Sequence, residues 1–303
     1  MPVESSSRVS TRIVSVGVHP DDGVTPGQVR EQFPAARVGR EFIKPLASGE
    51  EPEKVFDRIR KHAEPWHDGG VYVSYKPPPR EVAAGRWAAV HREIGAWLAG
   101  HPQVGIIVHH EPEGGKDRLD GETFQAMFDR ARREIKHGWP GARVAYCAMA
   151  YQWRPGGRAA MHPDPWRRVV ADEYLCDVYS GMNERNGAFP TDLILPEHPG
   201  YLGWFNAIVR PHLAAGKEVT WGLGERGFMG DDKLRAATIR RESAWLDTVF
   251  DRYAAGHKPA DLPPSVYLAW SSRGWENEPG WILTGDAAVA MRELTTDFAE
   301  HVR

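Results

Sequence analysis

Apolar positions along the chain fall into two alternating rhythms. Short β-rich runs at 12–20 (RIVSVGVHP), 36–45 (ARVGREFIKP), 71–77 (VYVSYKP), 106–108 (IIV), 142–151 (ARVAYCAMAY), 173–180 (EYLCDVYS), 217–225 (KEVTWGLGE) and 265–272 (SVYLAWSS) read as strands. Between them lie segments with helical spacing or helix punctuation, near 25–26 onward, 51–63, 80–100, 124–135, 165–171, 201–215, 233–254 and 287–301. In the third of these, Trp87, Val90, Ile94 and Trp97/Leu98 share one helical face; in the fourth, Phe124, Met127/Phe128, Ala131 and Ile135 do so. At the first, Thr25 can cap and Pro26 suits the first turn. Eight strand-then-helix units with no domain-sized break predict one (β/α)8 TIM barrel of the α/β class over residues 12–303. The polar stretch 1–11 is expected to be a flexible tail. A doubly wound open sheet is the competitor, but the first strand ends in GVHPDDG, which is no glycine-rich phosphate fingerprint.

Composition narrows the function classes rather than the fold. The chain has 303 residues, 41% hydrophobic and 26% charged, with a net charge of -3. This balance offers no electrostatic footprint for nucleic acid or an anionic membrane. No run approaches the roughly 18 apolar residues of a membrane span, and MPVESSSRVSTR lacks the apolar core of a secretory signal. The expected setting is therefore cytoplasmic as synthesised, with virion association or a non-classical route as the ways to reach an extracellular polymer. Cys147 and Cys176 sit in predicted strands and read as buried free thiols. The 12 tryptophans are the one excess, useful to cores and to sugar clefts alike.

A TIM barrel concentrates chemistry at the C-terminal ends of its strands. The eight windows there read VHPDDG, REFIKP, YKPPP, HHEPEGG, MAYQW, VYSGMN, GLGERG and WSSRGW. Two hold a glutamate just where a strand should end, Glu111 on the fourth and Glu225 on the seventh. Those strands lie on roughly opposite sides of an eight-stranded ring, so the carboxyls can face each other across its mouth. Glycosidic bond cleavage uses such a pair, one carboxyl protonated and the other ionised.

With VHHE, DVYS, TWGLGERG and LAWSS in place, the chain resembles the retaining barrel glycosidases of clan A. His110-Glu111, where most of that clan has Asn-Glu, is similar to glycoside hydrolase family 26, the β-mannanase family. The resemblance implies Glu111 as acid/base, Glu225 as nucleophile, His110 as a neighbour that orients Glu111 or touches sugar, and Tyr179 as a hydrogen-bond donor to Glu225. It also implies Trp270 as the floor of the cleaved sugar's subsite, with a cis peptide at Trp270–Ser271. His19 and Trp153 join His110, Tyr179 and Trp270 as candidate substrate-binding residues. Trp204 and Trp275 lie in or near the same loops, with packing as the plainer role. Trp221 shares strand parity with Glu225 one layer deeper and is expected in the core. The residues before the pair, Ile107, Val108 and His109, depart from the arginine and proline usual in family 26. Regular alternation would also turn His110 away from the axis if Glu111 points inward, unless the strand breaks there, which Pro112 favours.

The expected activity is thus retaining hydrolysis of a β-linked polysaccharide, mannan-like or another cell-surface glycan, in the manner of an endo-β-glycanase and without a cofactor. The partner is a polysaccharide or oligosaccharide, with a virion or cell-surface assembly as a further one; no nucleic acid or membrane partner is expected. A second reading is a carbohydrate-binding or structural barrel of a phage tail or cell-surface assembly with little turnover. A third is a metal-dependent hydrolase, since His109, His110, Glu111, Glu113 and the HPDD at 19–22 are ligand-capable. Against it, zinc barrels carry H-x-H on the first strand and histidines on the fifth and sixth, and this chain does not. No metal is therefore expected.

Overall fold

The computed structural model describes residues 15–20, 24–44, 51–67, 69–181, 189–217, 219–256, 262–271 and 282–300. The polar stretch at 1–11 and Trp275 lie outside them. Eight parallel strands close into a barrel in sequence order: β1 Ser15–Pro20, β2 Val38–Phe42, β3 Gly70–Tyr75, β4 Val104–Val108, β5 Arg143–Met149, β6 Glu173–Ser180, β7 Thr220–Phe228 and β8 Val266–Ser271. This is the expected (β/α)8 barrel. No helix among the described residues is long and apolar enough to cross a membrane.

Strand alternation divides the apolar residues into two bodies. One face of each strand packs outward on the helices, as with Val16, Val18, Val71, Val73, Ile106 and Val108. The other fills the lumen with Val38, Tyr72, Ile107, Ala145, Cys147, Leu175, Val266 and Leu268. Below the lumen, Tyr72 and Arg143 satisfy the buried Glu173 at 2.6 and 3.1 Å. Above it the inward positions become polar: Arg40, Ser74 and Asp177 are all buried.

The helical segments depart from expectation where local backbone chemistry intervenes. The helix expected over 80–100 is two, Pro79–Ala83 and Ala88–Leu98, parted at Gly85, whose φ of 85° no right-handed helix accommodates. The segment near 165–171 forms only Arg158–Met161 and Asp164–Arg167, in a run rich in proline. The segment at 201–215 runs from Pro199 to Ala214 through a wider turn at Phe205–Val209, just before Pro211. Thr25 caps Pro26–Gln32 by accepting from the Gln28 N–H, and Asp120 and Asp231 cap the long helices Gly121–Gly138 and Asp232–Ala254 in the same way.

One buried ion pair ties the barrel to its outer layer. Arg226, on the outward side of β7, meets Glu242 of the helix Asp232–Ala254 at 2.8 Å, and both side chains are fully buried. Glu242 also accepts from Tyr267 at 2.8 Å and from the Leu195 N–H at 3.1 Å. Arg226 donates onward to Ser180 Oγ and the Leu193 carbonyl. Removing one partner strands the other charge without water. Glu242→Ala is therefore expected to cost about 3–5 kcal/mol in urea unfolding, and a loss below about 1 kcal/mol would refute this role.

Candidate active site

β4 ends at Val108, and regular backbone ends with it. His109 and Glu111 both adopt left-handed φ, 58° and 50°. Such a conformation costs a non-glycine residue about 1–2 kcal/mol and persists only when neighbours enforce it. They do so here. The His109 N–H donates to the Tyr75 carbonyl and the Glu111 N–H to the Cys147 carbonyl, each at 2.8 Å, so the turn is stitched to the strands on both sides. The break begins at His109 and runs to Glu111, the residue directly before Pro112. It removes the alternation problem, since both His110 and Glu111 reach the mouth.

Glu113 holds the turn from behind. Its buried carboxyl accepts from Tyr146 at 2.5 Å, Trp153 Nε1 at 3.1 Å and the Met149 N–H at 3.2 Å. Burial nonetheless pushes it up to about 7. Trp153 is thereby corrected: only 1% exposed, it spends its indole N–H on Glu113 and offers no face to a sugar. Trp204 is likewise buried, packed with Tyr201, Phe205 and Trp221 behind the barrel.

The two histidines part company. His109 is buried, with Nε2 on the Asp117 carbonyl at 3.1 Å, and burial pushes it down to about 4. His110 pairs Nδ1 with Ser74 Oγ at 2.7 Å and meets Phe42 edge-on at 5.1 Å. Burial and then the charge of Arg40 hold it well below the usual imidazole range, so it is neutral. Among the described residues no group of three or more His, Cys, Asp or Glu is arranged to hold a metal ion.

Across the ring, Glu225 does not end its strand, because β7 continues to Phe228. It reaches the lumen through a bulge. Cys176 pairs with Leu223 and Asp177 with Glu225, which leaves Gly224 as the extra residue. The bulge switches parity, and that corrects the expectation for Trp221. It is core, as expected, but on the opposite side of the sheet from Glu225, packed on Tyr201, Trp204 and Phe205. Both Glu225 oxygens are engaged. Oε1 lies 3.0 Å from Arg40 Nη1, and Tyr179 donates its hydroxyl to Oε2. The Tyr179 backbone is fixed in turn by buried His198, whose Nε2 meets the Tyr179 carbonyl at 3.1 Å.

Electrostatics separates the two glutamates. Burial first, then Asp177 and Glu225, push Glu111 well above the usual carboxylate range. Among the described residues nothing hydrogen-bonds the Glu111 carboxyl, and no cation touches it. Burial and Asp177 also push Glu225 up, to about 8, against the opposing pull of Arg40 and the Tyr179 hydroxyl. Both carboxyls are thus held toward their protonated forms, and Glu225 is the one whose neighbours include groups that favour ionisation.

Aromatic rings make the lip. His19 stacks on Trp270 at 4.4 Å and 18°, its Nδ1 donating to the Arg40 carbonyl at 2.8 Å. Phe42 stands edge-on to both rings, and Tyr179 edge-on to Trp270. One face of Trp270 is therefore already covered by His19. No peptide among the described residues is cis, so the expected cis bond at Trp270–Ser271 is not found.

Sequence reasoning missed Arg40, Asp177, Ser74 and His198. Arg40 and Asp177 carried a usable signal. A charged residue at an inward strand position, between Val38 and Phe42 in one case and Leu175 and Tyr179 in the other, requires a partner inside the barrel.

No family model and no curated protein sequence matches the chain. Solved structures do. A structure described as a β-glucosidase, 1317, superposes with a TM-score of 0.58 at 16% identity, covering 88% of this chain and 86% of that one. The endoglucanase Cel5A of Pseudomonas stutzeri gives 0.55 at 16% identity, with 93% of each chain covered. The exo-β-1,4-mannosidase Op5Man5 of an Opitutaceae bacterium, strain TAV5, gives 0.59 at 15% identity, covering 100% of this chain and 63% of that one. The TIM barrel is shared with solved glycosidases. At these identities the likeness speaks for the fold, and the chemistry must be argued from the site.

Proposed function

We propose that the protein is a retaining glycoside hydrolase acting on a β-linked glycan. One observation carries this reading. Glu225 is gripped by Arg40 and Tyr179. Glu111, on the far side of the ring, has no such grip and is strongly biased toward its protonated form. In the first step Glu225 attacks the anomeric carbon, the glycosidic C–O bond breaks, and the Glu111 proton passes to the departing oxygen. In the second, water attacks the glycosyl-enzyme and gives its proton to Glu111 as the bond to Glu225 breaks. Neutral His110 and the exposed face of Trp270 are the groups that would meet the sugar at the point of cleavage. His110-Glu111 favours family 26 chemistry within this class, and with it a mannan-like, internally cleaved polymer. The glycosidases that share the fold support the class rather than the sugar.

Purified protein should release new reducing ends from at least one of a panel of mannans, glucans, xylans and galactans. Proton NMR should show the first-formed product with retained anomeric configuration. Inverted product would overturn the two-step mechanism. Binding to a polymer without new ends from any of them would favour the alternative, a carbohydrate-binding barrel on a virion or cell surface.

A further inference from the structure

The two-glutamate mechanism leaves a third carboxyl in the lumen without a part. Asp177 lies on β6 two residues below Tyr179, beside Glu225 in the ladder, with its side chain fully buried. A single nitrogen, Nη1 of Arg40, donates to Asp177 Oδ1 at 2.8 Å and reaches Glu225 Oε1 at 3.0 Å. Cys147 adds its thiol to the same Asp177 oxygen at 3.1 Å. Asp177 Oδ2 and Arg40 Nε and Nη2 are buried with no hydrogen-bond partner among the described residues. The bulge residue makes room for this arrangement. A Cβ at Gly224 would come within 2.5 Å of Asp177 Oδ1, 2.8 Å of Cys147 Sγ and 2.9 Å of Arg40 Nη1.

We propose that Asp177 is a positioning residue that divides Arg40 with Glu225 and thereby sets the protonation balance between Glu225 and Glu111. The proposal rests on reading those two as nucleophile and acid/base. Paired with Glu225 alone, the guanidinium would spend its full charge on stabilising the ionised nucleophile and would draw Glu111 toward ionisation too. A second carboxylate on the same nitrogen withholds part of that charge. Glu225, which alone of the two glutamates also receives the Tyr179 hydroxyl, is the one that ionises first, and Glu111 keeps the proton it must deliver. The groups acting on Asp177 are Arg40 from β2, Lys76 after β3, Glu111 after β4, Cys147 from β5, Tyr179 from β6 and Glu225 from β7. Only Arg40 and Lys76 among them are cationic, and Arg40 is the one in contact. Asp177 is the largest charged influence on both glutamates, and it raises both.

Asp177→Asn keeps the shape and removes the charge. The pH profile of kcat/KM should then move to lower pH on both limbs by about one unit or more, since a like charge at this range is worth about that much. The carboxyl carbons of Glu111 and Glu225, followed by 13C NMR in protein labelled at glutamate, should titrate lower by a similar amount. Reduced activity with unmoved limbs and unmoved carboxyl titrations would leave Asp177 a structural ion-pair partner and overturn the proposal. Should the variant fail to fold, the wild-type protein labelled at aspartate still decides. Asp177 must stay ionised while Glu225 titrates, and an Asp177 that takes up its proton at higher pH than Glu225 contradicts the proposal. The NMR readouts need no substrate, so absence of activity on every glycan would defeat the functional reading while leaving Asp177 separately testable.

Discussion

Glu225→Gln is expected to lower kcat on any responsive glycan by about 10⁴-fold or more while leaving the barrel folded. The size follows from the role. Without a nucleophile no glycosyl-enzyme forms, and only substrate positioning and the acid remain. The amide keeps the volume and an oxygen to accept from Tyr179 or Arg40, so the surroundings need not move. Stability should hold or rise. Glu225 shares the upper lumen with Asp177, and burial first, then the negative charge of Asp177, push it up. Removing a buried like charge relieves that repulsion, while Arg40 keeps its 2.8 Å partner in Asp177. The checks are kcat on the best polymer of the panel and the thermal midpoint of the variant. Activity above about one tenth of wild type, or a collapse in Tm, would show that Glu225 serves the fold rather than the chemistry.

This expectation could be framed from sequence because the barrel rule is strong. Period-2 runs named all eight strands, and the rule that chemistry sits where strands end selected Glu111 and Glu225 without any geometry. What escaped was set by local backbone irregularity, which periodicity cannot express. The left-handed turn at His109 and Glu111 decides that adjacent His110 and Glu111 share one site. The Gly224 bulge decides that Glu225 faces the lumen while Trp221 faces the helices. In both places counting by twos gives the wrong side. Trp153 escaped for a different reason: its position after β5 suits a sugar platform, but Glu113 captures its N–H from below. Arg40 and Asp177 were legible as a pair in principle. Each is an inward charge whose sequence neighbours at i±2 are apolar or aromatic, and they are of opposite sign.

Glu111→Ala should produce a different signature from the loss of Glu225, and the contrast assigns the roles. On polymer, whose leaving oxygen needs a proton, activity should fall by about 10²–10⁴-fold, the range of general acid catalysis. On an aryl glycoside with an activated leaving group, the first step needs no acid and should largely survive, so that the glycosyl-enzyme accumulates. Azide, which carries its own charge and needs no base, should then restore turnover by displacing Glu225 from the anomeric carbon to give a glycosyl azide of retained configuration. The pH profile follows from the same assignment. Catalysis needs Glu111 protonated and Glu225 ionised, so wild-type activity is lost on the alkaline side as Glu111 gives up its proton. It is lost on the acid side as Glu225 gains one. Burial and Asp177 raise both groups, which places both limbs above those of ordinary carboxylates. In Glu111→Ala acting on the activated glycoside, the alkaline limb should vanish and the acid limb should stay. An alkaline limb that persists, or azide without effect, would mean that the proton comes from somewhere other than the strained turn at the end of β4.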